Sequence, residues 1–271
     1  MTRHVVFGTG QVGHPLVEQL TALGYDVTAV NRTGSGTVPG AQVVTGAAAA
    51  GARLVVLDNL YAYGPPRGRH LVESLSAAPT SEKSITRAAM TRELLHAHGA
   101  GEVEVVIGRA SDYFGPGVTR SALGETVFGT ALTGRTAQVM GDPDEPHSYS
   151  YTPDVAAALI TLGTDDDVSG QVWHLPVAPA RTTRQLVEQV YALSGHRPRL
   201  LAAGARTLRV FGLVKPAMHE YLHTLYQFTE PWVVDDTKYR TRFGDRATPL
   251  DQALATTVAW YRDADLVPSA G

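Results

Sequence analysis

Three glycines near the start of the chain stand in the order that a phosphate needs. Gly8, Gly10 and Gly13 form G-x-G-x-x-G, with Gln11 and Val12 between the last two. The first permits a tight turn, the second lets a pyrophosphate approach the backbone, and the third lets helix and strand pack closely. The N-terminus of a following helix then offers unpaired N–H groups and a partial positive charge to the phosphates. Asn31 and Arg32 come where such a motif meets the adenosine ribose. An acid there would accept from the ribose and repel a 2′-phosphate. Arg32 instead can donate charge-assisted bonds to that phosphate, with Thr33 and Ser35 as nearby hydroxyls. The pattern predicts a dinucleotide site that takes NADP in preference to NAD.

A second group of residues could act on a substrate. Asn59 can donate an amide hydrogen bond to a carbonyl oxygen, as an oxyanion-hole residue does. Lys83 and Arg87 are spaced to share one helical face. Arg87 is permanently charged, so it can hold ribose or phosphate but cannot shuttle protons. Lys83 can donate a proton only if its pKa falls from about 10.4 toward 7 or 8, as a neighbouring cation and an oxidised nicotinamide would drive it. The bland reading of the pair is two cations on a solvated face. Asp58 is close enough in sequence to pair with either. Tyr61 and Tyr63 are alternative acids, and packing suits Tyr63 at least as well. His219 and His223 have metal-ligand spacing but no assembled third ligand, so no metal is expected. Asp165-Asp-Asp167 reads as a solvated turn.

These residues need elements to hold them. His4–Phe7 is a short apolar run, Leu16, Val17, Leu20 and Leu23 have helical spacing, and Tyr25–Val30 is a second strand candidate. Together they make one βαβ unit. Gln42-Val-Val44 reads as a third short strand and Arg53–Leu57 as a buried fourth, with only residues 45–52 between them. Parallel neighbours need a crossover of about a dozen residues or more. The reading therefore expects roughly 30 to 50 residues, one strand and its helices, to be absent between them. A helix is predicted from Thr80 or Ser81 to Gly99. Residues 206–228 read as an amphipathic helix broken at Pro216, with Leu208, Phe211, Tyr221, Leu225 and Phe228 on its apolar stripe.

Composition sets the bounds. The chain has 271 residues, 44% hydrophobic and 18% charged, which is enough for one large domain or one and a half. With no cysteine, a disulfide scaffold, a zinc–thiolate site and an iron–sulfur cluster are excluded. A net charge of −3 advertises neither nucleic acid nor membrane as partner. The apolar run at Val5 is too early and too short for a signal peptide or a spanning helix, so a cytoplasmic protein is expected.

Several longer motifs now combine. Leu54–Pro65 resembles the fifth strand of extended short-chain dehydrogenases, with its Tyr-Gly-Pro turn at Tyr63-Gly-Pro65. Gly108-Arg-Ala-Ser-Asp-Tyr-Phe-Gly-Pro-Gly117 looks like the family's sixth strand and loop. His147–Val155 is similar to its hydroxyl- and acid-rich segment before a helix. Val172–Leu175 followed by Thr182–Leu186, and Thr248–Leu254 with Trp260-Tyr261, resemble its last strand and closing helices. The resemblance, to the NAD-dependent epimerase/dehydratase-like branch, implies a doubly wound parallel Rossmann sheet with a smaller C-terminal substrate lobe. Residues 1–165 would be mainly the NADP-binding domain. Residues 166–271 would hold the last sheet elements, a substrate lobe over 196–250 and the closing helix. The family works through Ser/Thr and Tyr-x-x-x-Lys, but no Tyr-x-x-x-Lys occurs here, and Asp58-Asn59 replaces the hydroxyl pair. The resemblance places Lys83 at the tyrosine position and Arg87 at the lysine position. It makes Ala110, Asp112 and Tyr113 neighbours of the nicotinamide. It implies an oxidoreductase moving a hydride to or from a small carbonyl or alcohol. The alternatives are an epimerase or dehydratase that uses the nicotinamide transiently, and a non-catalytic NADP-binding sensor. A small-molecule substrate and a possible homodimer through the Thr80–His98 helix complete the expectation.

Overall fold

Strand β1 (Arg3–Phe7) runs into the glycine turn, helix α1 (Gly13–Ala22) follows, and β2 (Asp26–Val30) returns parallel to β1. The register holds from Arg3 opposite Asp26 to Phe7 opposite Val30. This is a computed structural model, and it describes residues 3–30, 40–204 and 223–264. Asn31, Arg32, Thr33 and Ser35 lie outside the described residues, as does the stripe from Leu208 to Tyr221.

The third strand expected at Gln42–Val44 is a helix instead: α2 covers Gly40–Ala49. The alanine run that follows is the best of helix formers, and it extends a three-residue period in which Val44 and Ala47 pack on the same core. The consequence reaches the wiring of the whole chain. From the end of β2 at Val30 to β3 (Leu54–Asp58), the connection contains a full helix and far exceeds a minimal crossover. Helix α2 replaces the misread strand, so the 45–52 connection on which the expectation of 30 to 50 absent residues was measured is not a strand-to-strand link.

Helix α3 (Glu82–Gly99) then leads to β4 (Val105–Arg109), which pairs in parallel with β3 and with β9 (Val172–His174). Alternate β4 residues face opposite layers. Val105 and Ile107 join Leu94 of α3 and Val44 of α2, while Val106 joins Val12 and Leu16 near α1 and Leu159 of α4 (Thr152–Thr164). Helices thus cover both faces of a parallel sheet, as a doubly wound fold requires. One feature departs from that plan. Among the described residues β1 and β3 belong to separate sheets, and a cavity of about 640 Å³ lies between them.

A second core gathers Phe114, Phe128, Tyr151, Leu186, Tyr191, Leu254 and Tyr261. It holds β5 (Asp112–Phe114) parallel to β8 (Tyr149–Tyr151), and β6 (Ala137–Met140) parallel to β11 (Leu200–Ala203). Short strands β7 (Pro146–His147) and β10 (Arg181–Thr182) pair antiparallel beside them. Helices α5 (Thr183–Ser194) and α7 (Leu250–Asp263) close this layer, with α6 (Thr237–Phe243) packed by Tyr239 under Trp173. The described end of the expected 206–228 helix, Leu225–Phe228, is a 3-10 turn. Leu225 and Phe228 are buried there against Met140 and Ala203.

Candidate active site

The glycine turn is built as the motif requires. Gly8 has φ of 102° and its N–H donates to Val30 O at 2.8 Å, tying the turn to the end of β2. A Cβ on Gly13 would stand 1.7 Å from Gly8 O, so only glycine lets α1 start this close to β1. A Cβ on Gly10 would meet nothing within 4 Å, which leaves the backbone open to an approaching phosphate. These residues fit a dinucleotide pyrophosphate.

From that turn Gln11 reaches a cleft of about 310 Å³ at the carboxyl ends of β3 and β4, where open α/β sheets bind ligands. Asp58, Asn59, Tyr61, Arg87, Ala110, Asp112 and Tyr113 line it together with Ser111, Arg120, Gln227 and Trp232. Lys83 is not among the lining residues; it is exposed in the first turn of α3. The face it shares with Arg87 turns toward the cleft only one turn later. Val12 is buried beneath the site, in the core between α1 and α4.

Asp58, fully buried at the end of β3, organises the floor. Arg109 Nε lies 3.2 Å from its Oδ2, and Thr91 donates to the same oxygen at 3.4 Å. Arg109 Nη2 in turn donates to Thr91 at 2.9 Å, and its guanidinium lies 4.7 Å from the centre of the Tyr63 ring. Arg87 Nη1 approaches Oδ1 to 3.6 Å, an oxygen that has no hydrogen-bond partner among the described residues. One buried carboxylate therefore meets two guanidinium groups and holds Arg87 at the cleft wall. Ala110 N donates to Asp58 O at 3.1 Å, which stitches the two strand ends together.

Asn59 accepts the N–H of Tyr61 at 3.0 Å through its side-chain oxygen, so the NH2 end is the part left for a ligand. The Tyr61 phenol is pushed up to about 12, first by burial and then by the charge of Asp112, against a hydrogen bond from Gln227. Tyr113 is raised further, again by burial first and Asp112 second. Tyr63 is not a cleft residue: its hydroxyl meets His174 Nε2 at 2.9 Å in the core. Asp112 is held by His147, whose Nε2 lies 2.9 Å from its Oδ2. The sequence reading missed Arg109, His147, Arg120 and Gln227. His147 and Asp112 each stood in a recognised motif, but 35 positions apart, and no spacing rule joins them. Of the remaining expected features, His219 lies outside the described residues. Asp165 pairs with Arg242, so the acidic turn is an ion-paired one.

No protein-family model matches the sequence, and no curated protein does. Solved structures do match in shape. The dTDP-glucose 4,6-dehydratase of Bacillus anthracis, in complex with NAD, superposes with a TM-score of 0.78 at 16% identity, covering 97% of each chain. The UDP-glucose 4-epimerase of Thermus thermophilus with NAD gives 0.72 at 19% identity, over 97% of this chain and all of that one. DesIV, a dTDP-glucose 4,6-dehydratase of Streptomyces venezuelae with NAD and TYD bound, gives 0.74 at 19% over 97% of each. The protein has the Rossmann-type fold of these epimerases and dehydratases along nearly its whole length.

Proposed function

We propose that the protein is a nicotinamide-dependent enzyme that interconverts an alcohol and a carbonyl group, with NADP as its preferred cofactor. The observation that carries this reading is the cleft itself. It brings Gln11 of the phosphate turn together with Asn59, Tyr61, Arg87 and Asp112 at the strand ends. When bound, the dinucleotide supplies the hydride acceptor or donor. The chain does the rest. The Gly8–Gly13 turn and the start of α1 receive the pyrophosphate, and Arg32 receives the 2′-phosphate. Arg87, pinned by Asp58, binds ribose or phosphate, and the Asn59 amide donates to the substrate oxygen. The substrate is a small molecule, and neither nucleic acid nor membrane is a partner in this reading. None of the described helices is long and apolar enough to cross a membrane. A homodimer would use α3, where Ile85 is exposed.

A second reading, transient oxidation as in an epimerase or dehydratase, is favoured by what the similar solved structures are described as. Net redox change separates the two. A reductase consumes NADPH in step with product, whereas transient use leaves the total unchanged while the sugar is converted. Fluorescence titration with NADPH and NADH tests the cofactor. NADPH is expected to bind tighter, with the advantage lost in Arg32→Ala. Equal or tighter NADH binding in the wild type would overturn the NADP preference. Binding without turnover of any carbonyl or nucleotide sugar would instead favour the non-catalytic sensor.

A further inference from the structure

We infer that Asp112, backed by His147, is the acid–base group of this cleft, taking the place of the missing Tyr-x-x-x-Lys relay. The inference deepens the proposed function and rests on it. His147 is buried, and its imidazole is fixed on both sides. Its ring stacks on Phe228 at 5.0 Å and 3°, and Tyr149 lies 4.2 Å away between ring centres. Nδ1 is 3.0 Å from the backbone oxygen of Gln227, and Nε2 is 2.9 Å from Asp112 Oδ2. A backbone carbonyl only accepts, so Nδ1 carries a hydrogen. Nε2 then meets a carboxylate oxygen, and two lone pairs cannot close that contact. One more proton sits between them, on Nε2 or on Asp112.

That proton has one way out. The His147 side chain is 2% exposed and lines no part of the cleft, whereas Asp112 is 19% exposed and does line it. The other cleft groups are poor donors. Tyr61 and Tyr113 hold their protons too tightly at neutral pH, Arg87 never releases one, and Asp58 is occupied by Arg109 and Arg87. The groups facing Asp112 are Tyr61 from the turn after β3, Tyr113 on β5 and Tyr149 on β8. Arg87 on α3, Asp58 on β3 and Tyr226 lie one step further out, beside those tyrosines.

In the reductive direction a bound reduced dinucleotide would supply hydride to the carbonyl carbon. The C=O π pair moves to oxygen, and Asp112 gives that oxygen the shared proton, which solvent later restores. In the oxidative direction the same pair, deprotonated, accepts the hydroxyl proton as hydride leaves to the oxidised dinucleotide. Reduction needs the shared proton in place and oxidation needs it gone, so reduction falls on the alkaline side with a one-proton slope and oxidation falls on the acid side.

Two measurements test this, and they fail separately. With a carbonyl panel and NADPH, Asp112→Asn is expected to lower kcat by about 10²- to 10⁴-fold, with KM and NADPH affinity changed little. The alkaline limb should disappear with it. Asp112→Glu should recover part of the rate, and His147→Gln should move the limb without removing it. A limb that persists in Asp112→Asn, or a kcat within about threefold of wild type, would overturn the assignment. Ring-nitrogen NMR of histidine needs no turnover: in the wild type His147 should show a hydrogen on Nδ1 and a second one shared between Nε2 and Asp112, and the Nε2 signal should change in Asp112→Asn. An unchanged Nε2 signal also overturns the pair. Failure of NADPH and NADH alike to bind removes the proposed function and the inference with it.

Discussion

At the residue scale the site depends on two contacts with no slack. The space for a Cβ at Gly13 is filled by Gly8 O, a backbone atom that cannot rotate away. Gly13→Ala must therefore push α1 off β1 and distort the turn. We expect it to destabilise the fold by about 1–3 kcal/mol, the usual cost of overpacking, and to weaken NADPH binding at least about tenfold. Gly10→Ala, where the same Cβ meets open space, should leave stability unchanged while weakening binding. Thermal unfolding and cofactor titration of the two variants distinguish these effects. The second contact is the buried Asp58–Arg109 pair. Removing Arg109 leaves the buried Asp58 carboxylate with only Thr91 and the longer Arg87 contact, and Arg109→Met is expected to cost about 3–5 kcal/mol in urea unfolding. Asp58→Asn should cost less, because Arg109 keeps Thr91 and the Tyr63 ring. Equal losses in both variants would show that the pair's charge is not what matters.

At the element scale, legibility followed local periodicity and local chemistry. The glycine turn, α1, β2, β3 and α3 were readable because each carries its own signal: turn glycines, three-and-four spacing, or a short apolar run. Helix α3 begins where a capping residue predicted it. The Ser81 hydroxyl accepts from Ser84 N–H at 3.3 Å, and Ser84 returns a bond at 2.8 Å, its hydroxyl oxygen accepting the Ser81 N–H. Ser81→Ala is expected to cost about 1 kcal/mol, and Thr80→Ala much less, when each is measured by thermal unfolding. A larger loss at Thr80 would move the cap. What failed were segments whose apolar run was too short to show a period, as at Gln42–Val44, where the strand reading hid a crossover helix. What could not be read at all were contacts made by tertiary packing. Arg109 lies on a fully buried strand where its charge has no local sign of a partner, and Asp112 meets His147 only because β5 pairs with β8 beside β7.

At the scale of the whole molecule, burial sets the pH limits of stability and an unfilled place in the sheet sets its weakest region. The phenols of Tyr61, Tyr63, Tyr113, Tyr149, Tyr226 and Tyr261 are all raised above 10.0, chiefly by burial. Above that pH the unfolded chain releases protons that the folded chain keeps, so stability should fall as pH climbs from 10. His174 is shifted the other way, lowered by burial, so below 6.5 the unfolded chain gains a proton the folded one refuses, and stability falls there too. The sheet adds a limit that no titration touches. A central strand of a doubly wound sheet is normally paired on both sides and covered on both faces. Among the described residues β1 pairs with β2 alone, and Val5 and Phe7 are 49% and 51% exposed, whereas every residue of β4 is buried. The cavity between β1 and β3 is walled by Val6, Leu16 and Leu20 on one side and by Leu54, Val56 and Ala47 on the other. Backbone groups of both strands that face it have no ladder partner among the described residues, so they open to solvent without unfolding anything else. Native-state hydrogen exchange should therefore find β1 amides at least about tenfold less protected than those of β4. The difference should persist at pH values where stability is greatest, because it comes from missing neighbours and not from charge. Equal protection of the two strands would mean that β1 and β3 close on each other in solution, and that the sheet is continuous.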